Sequence, residues 1–375
     1  MKQPLQNQFA IIMAGGRGER FWPVSRETTP KQLIQLLGDR SLLQETVHQI
    51  LPVIPAENIL VITNQSQLRE VRRQLPDLPS SNLIAEPCGR DTCAAITLGA
   101  ALVANRCPEG VMAVLPADHV ISQPKGFQKV LRKSLQLASR KEVLVTIGIP
   151  PTGPSTAYGY IRLLRPKSSG GPPLDGSSWV HQVEQFVEKP PLAQARKFIK
   201  SGRYRWNAGM FIWSIASIRK ALGEHQPEMA LAMSRWCEAA SSPSRLKKVL
   251  AREYPEITRI SVDFALMEKA KNVMMAEGEF GWDDLGSWSA LARHLKLDDH
   301  QNAIMGSCVQ VDSHGNILFD ARSPQRRAPV ALVGVSQMIA VFTDDVCLIA
   351  DQNKDQQIKE LVQSLRQDQS LRHLL

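Results

Sequence analysis

The chain has 375 residues, a length that favours one large domain and a smaller one, and its 43% hydrophobic content argues against disorder. The net charge of +9 suits anionic partners, but no five basic residues are consecutive, so we expect phosphorylated metabolites or a solvated basic surface rather than nucleic acid. No apolar run approaches the ~18 residues of a membrane span, and the N-terminal MKQPLQNQ lacks the apolar stretch of a signal peptide, so we expect a cytoplasmic protein without membrane partners.

The first 150 residues alternate between short apolar runs and helical patterns. Strands are predicted over residues 9–13, 59–63, 82–85, 111–115 and 143–149, and helices over 65–74, 91–105 and 127–139. Continuous apolar strands that alternate with helices indicate a mainly parallel sheet covered on both faces. Ligands of such sheets bind beyond the carboxyl ends of the strands. Gly15, Glu86 and Asp118 fall at those ends.

The rest of the chain changes character near residue 297. Before it, the breaker-rich stretch 166–178 predicts a surface loop, 180–188 and 210–213 predict strands, 193–200 predicts a helix, and 215–269 is mainly helical. After it, short strands are predicted over 307–312, 317–319, 331–335, 338–342 and 346–350, followed by a helix over 355–367. We therefore divide the chain into a catalytic domain, 1–297, and a small β-rich domain, 298–375, that ends in a helix.

The strongest chemical signal is the glycine-rich turn after the first strand, AGGRGERFWPVSR at 14–26. Glycines at Gly15, Gly16 and Gly18 let the backbone approach a nucleotide and turn its N–H groups toward phosphates. A dinucleotide-binding motif is not matched because Phe21 stands where the third glycine belongs, and no Gly-Lys-Ser/Thr pair makes a Walker loop. Taken alone, the turn could also be a structural one with exposed arginines.

Further motifs follow the turn in a specific order. Thr29-Pro30-Lys31 comes first and together with the turn resembles the signature of the sugar-1-phosphate nucleotidyltransferases. Six more segments resemble, in order, the motifs of the mannose-1-phosphate guanylyltransferase family: EPCGRDT (86–92), LPADH (115–119), AYGYI (157–161), FVEKP (186–190), NAGMF (207–211) and GWDDLGSW (281–288). The resemblance covers roughly residues 10 to 290, and the C-terminal strands resemble the small tail domain of that family.

The resemblance implies a fold and a reaction. The fold is α/β, a Rossmann-like (GT-A-like) mixed, mainly parallel sheet flanked by helices. The reaction is transfer of GMP from GTP to α-D-mannose 1-phosphate, with Mg²⁺ as cofactor, by in-line attack on the α-phosphorus, in a homodimer. Both reactants are anions, so a site must offset their repulsion and align them. Arg20 and Lys31 are the implied catalytic residues, which hold the triphosphate and the departing pyrophosphate.

The resemblance also assigns binding residues. Magnesium prefers hard oxygen ligands, often one or two carboxylates with phosphate oxygens, and Asp118 and Asp284 are the implied pair, whereas Asp283 stands where relatives can carry serine. Glu86 could read guanine, whose N1–H and amine are adjacent donors that one carboxylate can accept. The remaining nucleotide-binding residues are Gly15, Gly16, Gly18, Arg90, Asp91 and Thr92, of which the last three shape a loop and cap the next helix.

The implied sugar-phosphate site comprises Gly159, Glu188, Lys189 and Asn207. Glu188 would accept hydrogen bonds from sugar hydroxyls and Lys189 would anchor the phosphate. Because adjacent strand residues point to opposite faces, their joint use requires a bulge or a strand end before Pro190.

Some features leave alternatives open. Glu19 and Phe21 replace residues that are more often Thr and Leu in the signature, and Asp91 replaces a frequent Asn, which leaves the exact substrate preference open. The alternatives are a nucleotidyltransferase for another base or sugar, a non-catalytic regulatory relative that binds sugar nucleotide, and an RNA-binding module, which no sequence feature demands. Six cysteines without a C-x-x-C pair are expected to be free.

Overall fold

A computed structural model describes residues 7–164 and 179–375. The surface loop predicted at 166–178 lies outside the described residues. Among those residues, no helix has the length and apolarity needed to cross a membrane. The cysteines that it describes are all free.

The main feature is one large mixed sheet. The strands up to residue 283 are β1 (Gln8–Ala14), β2 (Ile59–Asn64), β3 (Leu83–Glu86), β4 (Val111–Pro116), β5 (Val120–Ile121), β6 (Leu144–Ile149), β7 (Tyr160–Leu163), β8 (Val180–Val187), β9 (Tyr204–Ser214), β10 (Val273–Glu277) and β11 (Trp282–Asp283). Nine of them form a sheet in the order β3-β2-β1-β4-β9-β6-β10-β8-β7, and β5 pairs with β11 separately. All antiparallel pairings in the nine-stranded sheet involve β8 or β9, so its other strands share one direction.

Helices cover both faces of this sheet, namely α1 (Leu42–Ile50), α2 (Leu68–Gln74), α3 (Asp91–Arg106), α4 (Pro124–Arg140), α5 (Leu192–Ser201), α6 (Ile215–His225), α7 (Pro227–Ala239) and α8 (Pro243–Glu253). Helices α9 (Trp288–Ala292) and α10 (Ile358–Gln367) pack instead in a core shared with the C-terminal region. Short 3-10 turns cover Glu19–Phe21, Lys31–Leu33, Ala56–Asn58, Ser80–Asn82, Tyr254–Glu256, Pro324–Arg326, Gln352–Gln357 and Arg372–Leu374, and a π-helical turn covers Asp263–Met267.

The two-sided cover explains the apolar runs of the central strands. In β1, Ala10 and Ile12 pack into the core beneath α1, α2, α4 and α5, whereas Phe9 and Ile11 pack into the core beneath α3, α6, α7 and α8. A strand covered on both faces must be apolar at every position, not at alternate ones. The predicted α/β sheet flanked by helices is therefore confirmed.

The C-terminal region builds smaller sheets. Its strands are β12 (Ala303–Met305), β13 (Cys308–Val311), β14 (Ile317–Asp320), β15 (Val330–Val333), β16 (Met338–Phe342) and β17 (Cys347–Asp351). They form a sheet β12-β14-β16-β17 and a parallel pair β13–β15. The predicted β-rich C-terminal part is confirmed, and the boundary at residue 297 stays a prediction.

A third apolar core joins this region to the sheet domain. Phe21 and Trp288, from the sheet domain, pack in one buried cluster with Phe319, Ile339 and Leu374. The rings of Phe21 and Trp288 lie 5.0 Å apart, and those of Trp288 and Phe319 lie 5.1 Å apart. The glycine-rich turn therefore sits directly above the seam between the two parts.

The stretch 215–269 is mainly helical, as predicted, but its regular helices end at Glu253, and the chain then forms irregular turns around a π-helical turn at Asp263–Met267. Strand β10 was not predicted, although it lies between β6 and β8 in the main sheet. Its sequence, VMMAE, is a run of only four apolar residues before Glu277, which is too short to distinguish a strand from a helical segment.

Candidate active site

The glycine-rich turn leaves β1 and is fixed by side-chain amides. The amide nitrogen of Gln32 donates to the carbonyls of Ala14 (2.8 Å) and Gly16 (2.9 Å), and that of Asn64 donates to the carbonyl of Gly15 (2.7 Å). Gly18 has a φ of 61°, and a Cβ at this position would lie 2.4 Å from Cβ of Lys31. The close approach of Lys31 therefore requires glycine here.

Lys31 lies at the centre of the charged groups beside the glycine-rich turn. Its side chain is buried, and its Nζ donates to Oδ2 of Asp118 (2.9 Å) and to the carbonyl of Asp284 (2.7 Å). Arg20 is exposed, and its Nη1 lies 3.5 Å from the carbonyl of Gly286. Lys31 thus joins segments from distant motifs beside the turn, although 253 residues separate it from Asp284.

Two carboxyl groups beside Lys31 remain accessible. The side chain of Asp118 is 39% exposed; burial opposes its ionisation, but the charges of Lys31 and His119, together with the hydrogen bond from Lys31, outweigh that effect and lower its pKa. The carboxylate of Asp284 accepts a hydrogen bond from the Tyr158 hydroxyl at Oδ1 (3.0 Å). Within residues 7–164 and 179–375, no three His, Cys, Asp or Glu side chains converge as a ready-made metal cage.

Asp283 differs sharply from its neighbour Asp284. Its carboxylate accepts hydrogen bonds from Arg293 (3.1 and 2.7 Å) and from the Leu285 amide (2.8 Å). The same carboxylate lies 3.1 Å from Nε2 of His294. Burial opposes ionisation of Asp283, but the bonds from His294, Leu285 and Arg293 outweigh it and lower its pKa to about 2. The carboxylate of Asp283 therefore stabilises its own loop, and the carboxylate of Asp284 is the one of the two that remains available to a ligand.

Glu86 ends β3 beside the glycine-rich turn. It is buried, its Oε1 accepts a hydrogen bond from the Tyr254 hydroxyl, and burial raises its pKa to about 7. A Cβ on Gly15 would lie 3.1 Å from the other oxygen, Oε2. Oε2 therefore lies close against the glycine-rich turn, where a side chain in place of Gly15 would crowd it.

The loop after Glu86 departs from the predicted helix cap. The N-cap residue of α3 is Arg90, which makes no side-chain capping bond, so the prediction of a capping side chain at the start of this helix is wrong. Asp91 has a φ of 67°, and its Oδ1 accepts from the amide of Thr92 (2.8 Å) instead. The hydroxyl of Thr92 accepts from the amide of Val262 (2.9 Å), which ties the loop to the segment after α8.

The predicted sugar-site residues also lie together. Strand β8 ends at Val187, and Lys189 has a φ of 43°, which confirms the predicted strand end before Pro190. Nζ of Lys189 lies 2.9 Å from Oε1 of Glu188. A Cβ on Gly159 would lie 2.5 Å from Oε2 of Glu188, and the carbonyl of Gly159 accepts from the amide of Asn207 (2.8 Å).

Three site residues were missed from the sequence. Asp263 accepts at Oδ1 from the side-chain amide of Asn207 (2.8 Å), and burial together with the charge of Glu188 raises its pKa to about 6. Tyr158 and Tyr254 are the others, through their bonds to Asp284 and Glu86. Asp263 was missed because it lies in the stretch that was predicted to be mainly helical. The only sequence feature that points to it is the acidic residue inside the otherwise apolar run VDFALM.

Tyr158 joins the two groups of residues. Its hydroxyl reaches Asp284 on the Lys31 side, and its chain neighbour Gly159 lies against Glu188 on the other. Its ring also packs edge-on against Trp282 at 5.2 Å. Tyr158 and its neighbour Gly159 therefore link the residues predicted for the two substrates.

Comparisons with known proteins place this site in a family. A nucleotidyl transferase family model matches residues 9–301, and a MannoseP isomerase/GMP-like beta-helix domain matches residues 306–365. Mannose-1-phosphate guanylyltransferase of Escherichia coli is 35% identical over 96% of this chain and 74% of its own length. Xanthan biosynthesis protein XanB of Xanthomonas campestris pv. campestris (strain B100) is 34% identical over 95% of this chain and 73% of its own.

A solved structure shows the same architecture. The protein named mannose-1-phosphate geranyltransferase, from Thermus thermophilus, superposes with a TM-score of 0.83 at 32% identity, covering 96% of this chain and 99% of that one. The chain belongs to the nucleotidyl transferase family, within its group of mannose-1-phosphate guanylyltransferases.

Proposed function

We propose that this chain transfers GMP from GTP to α-D-mannose 1-phosphate and releases GDP-mannose and pyrophosphate, with a divalent cation, Mg²⁺, as cofactor. The observation that carries the proposal is the contact of Lys31 with Asp118 (2.9 Å) and with the backbone of Asp284 (2.7 Å) beside the glycine-rich turn. One cation and two carboxylates at the carboxyl ends of a parallel sheet suit a phosphorylated ligand.

The positive side chains would act on the triphosphate. Attack of a mannose 1-phosphate oxygen on the α-phosphorus breaks the bond to the β-phosphate and leaves pyrophosphate with the electron pair. Lys31 and Arg20 lie where they could hold the departing charge, and preorganised donors of this kind stabilise a transition state strongly. Because the sugar phosphate is already ionised near neutral pH, no protein base is required.

The carboxylates fit a magnesium ion. Asp118 is partly exposed, and among the described residues only the Tyr158 hydroxyl donates to the carboxylate of Asp284. Mg²⁺ is commonly held by one or two carboxylates together with substrate phosphates, so a cage of three protein side chains is not needed. When bound by Asp118 and Asp284, the ion would supply positive charge to the phosphate oxygens.

The other half of the site would bind the sugar phosphate. Lys189 carries an exposed positive charge, and Glu188 offers oxygens that can accept from sugar hydroxyls. Asn207 already donates to Asp263, and its Oδ1 accepts from the amide of Gly209 (3.1 Å). We therefore assign Asn207 to orienting this half of the site as much as to touching the sugar.

Base selection would rest on Glu86. Its Oε2 lies close to Gly15 at the turn, and its Oε1 accepts a hydrogen bond from Tyr254. Guanine presents two adjacent donors to such a carboxylate, whereas uracil and thymine present one and adenine lacks N1–H. A buried carboxylate left unmatched costs ~1–3 kcal/mol, which favours guanine.

The assembly we propose is a homodimer. The outer face of the β13–β15 pair is apolar and exposed, with Val309 and Val311 on one strand and Val333 on the other. Exposed apolar patches of this kind mark interaction surfaces. Light scattering coupled to size-exclusion chromatography tests this part, and a monomeric mass at micromolar concentration would contradict it.

One assay tests the reaction. The purified chain is incubated with GTP, ATP, UTP or dTTP, each with mannose 1-phosphate or glucose 1-phosphate and Mg²⁺, and pyrophosphate is measured. We expect fastest release with GTP and mannose 1-phosphate and none after chelation by EDTA. Lys31→Ala should lower turnover, while Lys141→Ala, at an exposed position, serves as the matched control. Preference for UTP or dTTP would overturn the base assignment, and no release with any pair would overturn the reaction.

A further inference from the structure

The segment 19–27 after the glycine-rich turn contacts the C-terminal region at several points. The Trp22 indole N–H donates to the carbonyl of Leu374 (2.9 Å), and the Arg26 guanidinium donates to the same carbonyl. The other Nη of Arg26 lies 2.8 Å from Oδ1 of Asp345. This segment, which includes Arg20, is therefore held by residues more than 300 positions away in the chain.

An ion pair completes these contacts next to Arg20 itself. Arg366, in the last turn of α10, lies 2.7 Å from Oε1 of Glu19 and 3.6 Å from Oε1 of Glu27. Glu19 is mostly buried and its other cationic neighbour, Arg17, lies 3.9 Å away on an exposed side chain. Partly buried pairs are screened less than exposed ones, so the contact with Arg366 dominates.

The acidic partner of Arg366 lies within the segment that follows the glycine-rich turn. In this chain the acidic residue stands between Gly18 and Arg20, both of which belong to the predicted nucleotide site. An ion pair at Glu19 therefore constrains the orientation of its neighbours, Gly18 and Arg20.

We propose that α10 is a positioning element for the glycine-rich turn, and that Arg366 holds Arg20 in place through Glu19 and Glu27. A turn fixed before the nucleotide arrives loses less conformational freedom on binding, which strengthens binding of the triphosphate. Among the described residues, Arg366 contacts Glu19 and Glu27 and none of the groups assigned to the substrates, so it is a positioning residue, not a catalytic one. The effect on substrate rests on the proposed function, whereas the effect on the order of the turn does not.

A double-mutant cycle tests this coupling in the full chain. We expect Arg366→Gln and Glu19→Gln each to raise the KM for GTP about five-fold with little change in the KM for mannose 1-phosphate, and the double variant to be no worse than either. Arg366→Lys, which keeps the charge, should recover most of the loss. Arg322→Gln is the matched control, because Arg322 pairs with Asp320 at 2.9 Å inside the C-terminal region and does not touch the segment 19–27.

Amide hydrogen exchange provides a readout independent of activity. Peptides that cover residues 15–27 should exchange faster in Arg366→Gln than in the wild type, and at the wild-type rate in Arg322→Gln. Equal exchange in the two variants, or strictly additive effects in the cycle, would overturn the proposal. If the wild type released no pyrophosphate with any substrate pair, the proposed function would fail, and the exchange data alone would decide the coupling.

Discussion

The two halves of the site hold their charged groups in different ways. On the nucleotide side, Lys31 is 5% exposed and contacts two partners from distant segments, and Glu86 is buried against Tyr254. On the sugar side, the Lys189 side chain is 63% exposed, and its ion pair is with its own chain neighbour, Glu188. The charges of Lys31 and Glu86 are therefore fixed by distant parts of the fold, whereas the charge of Lys189 is paired within one short segment.

This difference indicates which part of the site must be rigid. The triphosphate must be aligned for in-line displacement, and misalignment by a fraction of an ångström is costly. A lysine with a long, exposed side chain can follow a sugar phosphate as it binds. Substitutions of the two carboxylates beside Lys31 should therefore change turnover, and substitution of Lys189 should change mainly the KM of one substrate.

The largest expected effect separates two adjacent aspartates. Asp284→Asn should lower kcat by at least about 100-fold with little change in the melting temperature, because this carboxylate is available to a cation. Asp283→Asn should do the reverse: it weakens the pairs with Arg293 and His294, and we expect a loss of about 1–2 kcal/mol in the free energy of unfolding. Steady-state kinetics and thermal unfolding of both variants check this.

Asp118→Asn provides the companion test. It also removes the ion pair with buried Lys31, so it should lower turnover as Asp284→Asn does and reduce stability somewhat as well. Near-wild-type turnover in both Asp118→Asn and Asp284→Asn would remove the proposed cation site.

Sequence patterns predicted the sheet well where strands were long and apolar. Strand β16 was predicted at its observed bounds, and the predicted strand at 111–115 falls short of β4 by one residue. Strand β9 was predicted as only 210–213 because Arg205, Asn207 and Gly209 interrupt the apolar residues of its first half. That half pairs with β7, and Asn207 within it is a predicted sugar-site residue, so its polarity reflects the predicted site and not a loop.

The candidate site could be predicted as a set of motifs but not as a set of contacts. The motifs named Lys31, Asp118 and Asp284, yet only the fold shows that Lys31 touches the other two. Asp263 and Tyr254 stayed hidden because each reaches the site from an irregular segment after α8. No local pattern encodes a contact across 168 residues, as between Tyr254 and Glu86.

A smaller effect is expected on the sugar side. Lys189→Ala should raise the KM for mannose 1-phosphate about 10- to 50-fold, the loss expected for one charge-assisted contact, and leave the KM for GTP unchanged. Lys197→Ala, an exposed lysine on α5, is the control. A selective change in the KM for GTP would show that the two halves have been assigned to the wrong substrates.

The smallest effect concerns pH and the guanine contact. Burial raises the pKa of Glu86 to about 7 from an ordinary 4.5, so its carboxyl is largely neutral at pH 6 in the free protein. Guanine donors favour the ionised form, so the Kd for GTP should rise about ten-fold between pH 8 and pH 6. Stability should change in the opposite direction: the contribution of Glu86 is full below pH 4.5 and is lost as pH rises through about 7, because ionising a buried carboxyl opposes folding.

Calorimetric titrations of GTP at these two pH values, with Glu86→Gln alongside, isolate that contribution. The terminal phosphate of GTP titrates in nearly the same range, and the Gln variant, which has no proton to lose at this position, retains that background. We therefore expect the ten-fold change in the wild type to shrink markedly in Glu86→Gln, together with its preference for GTP over ATP. An identical pH dependence in the two proteins would mean that Oε2 does not contact the guanine base. Glu86 would then stabilise the structure of the nucleotide side without selecting the base.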